Sequence, residues 1–395
     1  MPSQPSSQPS VRPASQAAAG RSSRLPGLSL VVPVYGVRRY LPACLDSLLA
    51  DPDPSIEIIA VDDASPDGCG ALLDERAGAD SRLTVLHLRS TAGPGNARNV
   101  GLAHATRDYV WFVDGDDFVP PGALARVRGR LGEDQPDLLL IDYQETYPDG
   151  GTRPSPGTDL LRSAPSGTFS LAEAPRLISL TMTSWSKIFR RDFLLGLHQP
   201  FRPGIHEDIP VTCAALFTGR LSASDQVCYG YRRARHGSFM ATTSTDHLAV
   251  FSAYGEVFAM LADLAGANDP VATPAVRAAV FERAIWHYAS VLQTTGSGIG
   301  PVGRPGLVPR GERRRFFERM HSDFVRYSPP GYQLPSGARG VKFRLIARDA
   351  YWAYELLEPV NKLRVAVRAA VRRVRRASGD TAPAATPRQP AGSRR

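Results

Sequence analysis

Tyr109-Val110-Trp111-Phe112-Val113-Asp114-Gly115-Asp116-Asp117 changes character halfway: five apolar residues run without a break, then three carboxylates fall in four positions. The apolar run is too short for a stable helix, and its aromatic and β-branched content suits a strand buried on both faces. Alternation along an extended chain puts Asp114 and Asp116 on one side. A single Asp at a strand end would be ordinary turn chemistry. Three together repel one another unless a cation or several donors compensate, so the cluster predicts a divalent cation, Mn2+ or Mg2+, held by carboxylate oxygens.

The same pattern repeats upstream. Residues 28–34, 56–61 and 83–88 are short apolar runs, and 41–49 and 96–105 carry apolar residues at helical spacing between them. Strands alternating with helices predict an α/β fold, a mostly parallel sheet with flanking helices. In such sheets ligands gather beyond the carboxyl ends of the strands. Those ends hold Tyr35 after the first strand, Asp62 and Asp63 after the second, and the aspartate cluster after the fourth.

The formal charge of +9 is not spread over the chain. Residues 341–395 hold 13 Lys and Arg against 4 Asp and Glu, leaving 34 of each sign in residues 1–340. Within that tail Leu363, Val367, Val371 and Val374 recur at helical spacing opposite Arg364, Arg368, Arg372 and Arg376, which makes a basic amphipathic helix. Phe343, Ile346, Tyr351, Trp352, Tyr354 and Leu357 precede it, so the segment reads as lying on an anionic membrane surface or packing back on the body. The basic run carries no interleaved aromatics, which argues against nucleic acid. Residues 1–27 read as a disordered leader without a signal-peptide core, 150–170 as an exposed connection, 241–327 as a helical region, 328–340 as a hinge, 341–376 as the basic segment and 377–395 as a disordered tail. No window is expected to reach the length of a spanning helix. Cys44, Cys69, Cys213 and Cys228 lack metal or disulfide spacing and read as buried thiols of a reducing, cytoplasmic compartment.

Several residues in the first 240 carry further chemistry. Gly93-Pro94-Gly95-Asn96-Ala97-Arg98-Asn99 opens a helix whose N-terminus favours anions; Arg98 either reaches a diphosphate or pairs with a carboxylate at the surface. His206-Glu207-Asp208 is a second acidic cluster, either a proton acceptor or acids favoured at a helix start. Lys187 is one of three lysines against 44 arginines, which suggests a need for a compact ammonium. Lys187 and Trp185, the latter through its ring face, are candidate sugar or acceptor contacts, a core Trp being the equal alternative. Arg232, Arg233, Arg235 and His236 either clamp a pyrophosphate, with His236 joining a metal shell, or form a solvated basic loop.

Seven blocks in order, among them L-S-L-V-V-P-V-Y, I-E-I-I-A-V-D-D-A-S-P-D-G, Y-V-W-F-V-D-G-D-D-F and G-I-H-E-D-I-P, make residues 28–240 resemble glycosyltransferase family 2. The resemblance implies a GT-A fold and inverting transfer of a sugar, hexosyl or N-acetylhexosaminyl, from a nucleotide-diphosphate donor. UDP-sugar is the expected donor, and the acceptor a hydroxyl of a cell-envelope glycan, polymer or lipid-linked molecule. It further implies Asp116 as the direct metal ligand, Asp114 towards ribose or metal, and Asp117 in support. Asp63 would accept from the base ring nitrogen, Pro33 and Tyr35 would line the base, and Asp208, with Glu207 as rival, would take the acceptor proton. A non-catalytic nucleotide-sugar or glycan-binding relative is the alternative reading; intact Asp114, Asp116 and Asp208 count against it. Cytoplasmic placement, peripheral on the inner face of the plasma membrane, follows if the tail docks there.

Overall fold

Strand β1 (Leu28–Val34) is the spine of an eight-stranded sheet, lying between two parallel neighbours, β2 (Ile56–Asp62) and β4 (Tyr109–Phe112). A computed structural model describes residues 25–233, 243–293 and 307–357. β3 (Leu83–His87) extends the parallel set beyond β2, and α1 (Leu41–Leu49), α2 (Cys69–Ala79) and α3 (Gly93–His104) make the crossovers. Register sets Val34 opposite Asp62, so the polar strand ends emerge at one rim. Beyond α4 (Ala123–Asp134), β5 (Leu138–Thr146) and β7 (Lys187–Arg190) join the sheet, with β7 antiparallel to both β4 and β5. β8 (Leu221–Arg232) runs parallel to β5, and β6 (Thr152–Pro154) pairs with its far end. The fold is thus the expected α/β sheet of mostly parallel strands, with one reversed strand joining its two halves.

Residues of β1 alternate between two apolar layers: Leu30 and Val32 pack with Leu41, Leu45, Leu48 and Trp111 on one side, Val31 with Ile59, Val61 and Phe112 on the other. The second layer does not stop at the sheet. It continues through α7 (Ile209–Thr218) into α8 (Ala249–Gly266), α9 (Pro274–Gln293), α10 (Arg313–Tyr327) and α11 (Gly337–Ala347), so one core spans both regions. The shorter α5 (Thr158–Arg162), α6 (Arg191–Gly196) and α12 (Tyr351–Glu355) complete the α-helices of the described residues.

Four expectations need correction. Residues 150–170 are more than an exposed connection, because they contain β6 and α5, and buried Ser155 and half-buried Thr158 donate to the carboxylate of Asp142. The 328–340 hinge ends early, because α11 starts at Gly337 and packs on α10. Phe343, Ile346 and Tyr354 are buried in that packing and unavailable to a membrane, while Trp352 stays 70% exposed. One helix, Thr245–Gly266, does pass the length and hydropathy test for a spanning segment. Its Phe251, Tyr254, Val257 and Leu261 nevertheless face the core, as expected of a central helix. The leader, apart from its last three residues, and the stretch 358–395 lie outside the described residues.

Helix α3 approaches its neighbours where glycine removes a side chain. A Cβ on Gly101 would come within 2.3 Å of Val31 Cγ1, and one on Gly95 within 2.0 Å of the Arg202 carbonyl oxygen. Gly95→Ala should therefore destabilise the fold by about 1–3 kcal/mol by overpacking. Urea unfolding checks this, and an unchanged midpoint would show that the 202–208 loop gives way freely.

Candidate active site

The acidic rim forms where β4 ends and the chain turns sharply, Asp117 N–H donating to the Asp114 carbonyl at 2.9 Å. Asp114, Asp116 and Asp117 can each bring one carboxylate oxygen within 4.8 Å of the others. Asp117 is buried, and burial together with Asp116 and Asp114 pushes its carboxyl well above the usual range. Three oxygen donors in mutual repulsion fit a hard divalent cation.

Strand β8 supports this turn from behind. The Tyr229 hydroxyl accepts from Asp114 N–H at 3.1 Å and donates to Asp117 Oδ2 at 2.8 Å. Three residues on from Tyr229, Arg232 N–H is the donor to Asp117 Oδ1, at 2.8 Å. Tyr229 itself stacks on Trp185 at 4.6 Å. Neither Tyr229 nor this hydrogen-bonding role is legible in the charge pattern; the only signal was the aromatic alternation Tyr229-Gly230-Tyr231.

Helix α3 links the rim to the second acidic cluster. Gly95, Arg98 and Asn99 share one face of the helix. The Asn99 amide exchanges two hydrogen bonds with the Phe201 backbone, at 2.8 and 3.0 Å. Arg98 lies between the clusters, Nη2 at 2.8 Å from Asp114 Oδ1 and Nη1 at 2.5 Å from Glu207 Oε1. Burial works against its charge, yet Asp114, Glu207 and Asp208 outweigh it and hold the guanidinium firmly protonated. Arg98 therefore pairs with carboxylates, but in the interior and not at the surface.

Asp208 opens α7, accepts from Ser184 N–H at 3.1 Å and keeps part of its surface accessible. Desolvation, with Glu207 adding repulsion, pushes its carboxyl up to about 7 against the pull of Arg98 and Lys187. Lys187 is fully buried. Its ammonium donates to the carbonyls of Thr181 and Thr183 and to Ser186 Oγ, at 2.7, 2.9 and 3.1 Å. The lysine is there to satisfy converging acceptors inside the protein, a task a forked guanidinium fits poorly, and it does not face a sugar. Trp185, 5% exposed, is likewise a core residue between β7 and β8.

The other expected residues are dispersed around the rim. Asp63 caps α3, accepting from Thr91 Oγ1, Ala92 N–H and Gly93 N–H at 2.7–2.9 Å, so most of its acceptor capacity is already engaged. Asp62 braces its own loop through Ser65 N–H and His87. Tyr35 is exposed and Pro33 half-buried at the end of β1. The Arg232 guanidinium lies over the Phe118 ring at 4.8 Å, and Arg233 pairs with Glu145 at 3.5 Å. Arg235 and His236 lie outside the described residues.

A parallel sheet with an aspartate rim at its carboxyl end, braced by a second sheet half, defines the GT-A class of fold. Residues 29–195 match the family described as Glycosyl transferase family 2. The uncharacterized glycosyltransferase EpsJ of Bacillus subtilis is 30% identical over 213 residues, 53% of this chain and 61% of EpsJ. The poly(ribitol-phosphate) beta-N-acetylglucosaminyltransferase TarS of Staphylococcus aureus is 29% identical over 54% of this chain and 37% of its own. This chain thus spans about three fifths of EpsJ and less of TarS. The crystal structure of S. aureus TarS 1-349 in complex with UDP-GlcNAc superposes with a TM-score of 0.64 at 20% identity. That superposition covers 85% of this chain and 92% of TarS 1-349, a likeness of fold that extends into the helical region.

Tyr229→Phe keeps the aromatic stack but leaves Asp114 N–H and Asp117 Oδ2 without their shared partner. The expected result is roughly 10-fold or more weaker Mn2+ binding in the presence of UDP, the usual scale for losing a support of a metal ligand. Titration calorimetry measures it; wild-type affinity would mean that the turn holds its shape without β8.

Proposed function

We propose that this chain is an inverting, metal-dependent glycosyltransferase. It moves a hexosyl or N-acetylhexosaminyl group from a UDP-sugar to a hydroxyl of a cell-envelope glycan, polymer or lipid-linked acceptor. The observation that carries the reading is the buried chain Asp114–Arg98–Glu207, which ties the carboxylate rim to the Asp208 turn. Relatives named as glycosyltransferases, and a solved relative of the same fold bound to UDP-GlcNAc, support a nucleotide-sugar donor.

Asp114, Asp116 and Asp117 would hold Mn2+ or Mg2+, which when bound supplies positive charge to the leaving diphosphate. Pro33 and Tyr35 line the base and Asp63 fixes the wall behind it, with one lone pair left for a ring N–H. Arg232, above the Phe118 ring with its backbone on Asp117, and Arg233 supply positive charge to the diphosphate, and His236 joins the metal shell. Asp208 takes the proton of the acceptor hydroxyl. Glu207 is the weaker choice because its carboxylate is already held by Arg98. A base must be ionised, and Asp208 is flanked by Glu207, which disfavours ionisation, and by Arg98 and Lys187, which favour it.

With its carboxyl near 7, above that of a free carboxylate, the ionised fraction of Asp208 falls as pH drops through neutrality. Transfer should decline on the acid side of about pH 7, measured as kcat/KM for the acceptor; a profile flat down to pH 5 would remove Asp208 as the base. Asp208→Asn should reduce transfer by about 100- to 10,000-fold while UDP–Mn2+ still binds. Asp116→Asn should lose both, and transfer surviving either substitution would overturn the mechanism. A panel of UDP-, GDP- and TDP-sugars with Mn2+ identifies the donor.

The acceptor is delivered from the inner membrane surface. Trp352 and Leu356 are 70% and 60% exposed immediately ahead of the basic residues of 358–395. Each basic residue near anionic lipid contributes about 1 kcal/mol. In flotation with anionic liposomes, protein lacking residues 358–395 should stay at the bottom of the gradient while the full chain rises. Equal partitioning of the two would exclude the membrane.

A further inference from the structure

The turn that carries Asp208 is poorly supported by its own hydrogen bonds. Arg202 N–H reaches the Glu207 carbonyl, and Ile209 N–H the His206 carbonyl, only at 3.4 Å each. His206 also sits at φ +62, a left-handed conformation that residues with a Cβ seldom adopt outside turns stabilised by their surroundings. What over-determines it comes largely from the helices after residue 243. The His206 ring is 4% exposed and packs edge-on against His247, at 5.7 Å in the turn Thr245–Leu248, and His287, at 5.2 Å in α9. His287 is held by a 3.2 Å hydrogen bond between Nδ1 and the Tyr254 hydroxyl of α8, and Arg202, at the start of the loop, pairs with Glu256 of the same helix.

We propose that the C-terminal helices are part of the catalytic apparatus, His247 and His287 being positioning residues that clamp the His206 ring and thereby fix the backbone that presents Asp208. The inference rests on the reading of Asp208 as the base. Burial keeps His206 and His287 uncharged, the first falling to about 3 and the second well below its ordinary value, so their contact is one of shape and packing. It divides the labour of the site: β4, β8 and α3 hold the donor rim, and the helices after residue 243 hold the acceptor side. The two ends are then separable by mutation.

His206→Asn tests this, because Asn tolerates the left-handed backbone but lacks the ring. His287→Gln removes the ring from the other side of the clamp and stands in if the first variant does not fold. Each should lower kcat for acceptor transfer by about 10- to 100-fold, the scale of a displaced catalytic group, while UDP–Mn2+ affinity and the melting transition stay near wild type. Wild-type kcat in both variants overturns the clamp, as does a parallel loss of kcat and UDP–Mn2+ affinity, which would indicate general damage. Asp208→Asn, assayed alongside, separates the two readings: if it retains transfer, the base assignment has failed; if it is inactive while His206→Asn and His287→Gln are wild type, only the clamp has.

Discussion

The guanidinium of Arg98 is closed off from water with Asp114 on one side and Glu207 on the other. Taking three charges into the interior is unfavourable, and only close geometry with full hydrogen bonding offsets it. Removing one member strands the others, a loss on the order of 3–5 kcal/mol for a buried pair. This requirement constrains much around it. Helix α3 must run near enough to the 202–208 loop for Arg98 to reach, which Gly95 permits, and at a fixed rotation, which Asn99 sets through the Phe201 backbone. The Phe201 ring in turn packs on Phe112 of β4 at 4.9 Å, so sheet, helix and loop share one apolar contact beneath the ion pairs.

Charge is distributed unevenly across this arrangement, and the chemistry follows from it. Asp114 shares the positive field of Arg98, whereas Asp117 has only neutral donors, Tyr229 and the Arg232 backbone. The rim as a whole is under-compensated. That is the electrostatic condition for holding a cation, and it explains why burial raises Asp117 so far. Asp208 stands at the other end of the same chain, with Arg98 and Lys187 acting on it from a distance but no direct ion pair of its own. One carboxylate neutralised by contact and its neighbour left basic are the conditions for proton transfer.

The sheet and the rim were legible in the sequence because their signals are local. Residues 109–117 declare a strand by composition and a cation site by charge density, and the period change after Val34 announces a helix without knowledge of what it packs on. Trp185 and Lys187 lie in the core, a placement the sequence leaves open because burial is a tertiary property. The rarity of lysine correctly marked Lys187 as special, but composition cannot separate an ammonium facing a ligand from one satisfying carbonyls of its own chain. Asp63 caps a helix that begins thirty residues on, across β3, a contact no local pattern announces. The support from Tyr229 was invisible for the same reason, since Asp117 and Tyr229 are 112 positions apart.

The helical region shows most clearly what a family resemblance leaves out. Residues beyond 195 fall outside the family match, and 241–327 read from sequence only as a helical region. Yet Val250, Tyr254, Val276 and Tyr288 belong to the same core as Val31 and Phe112, and α9 packs on the turn Pro175–Ser179, just ahead of the residues that hold Lys187 and Asp208. Helix α3 covers the sheet's second face directly, and α8 and α9 form a further layer packed on α7 and on that turn. The position of that layer places two histidines, His247 and His287, against the His206 ring of the Asp208 turn.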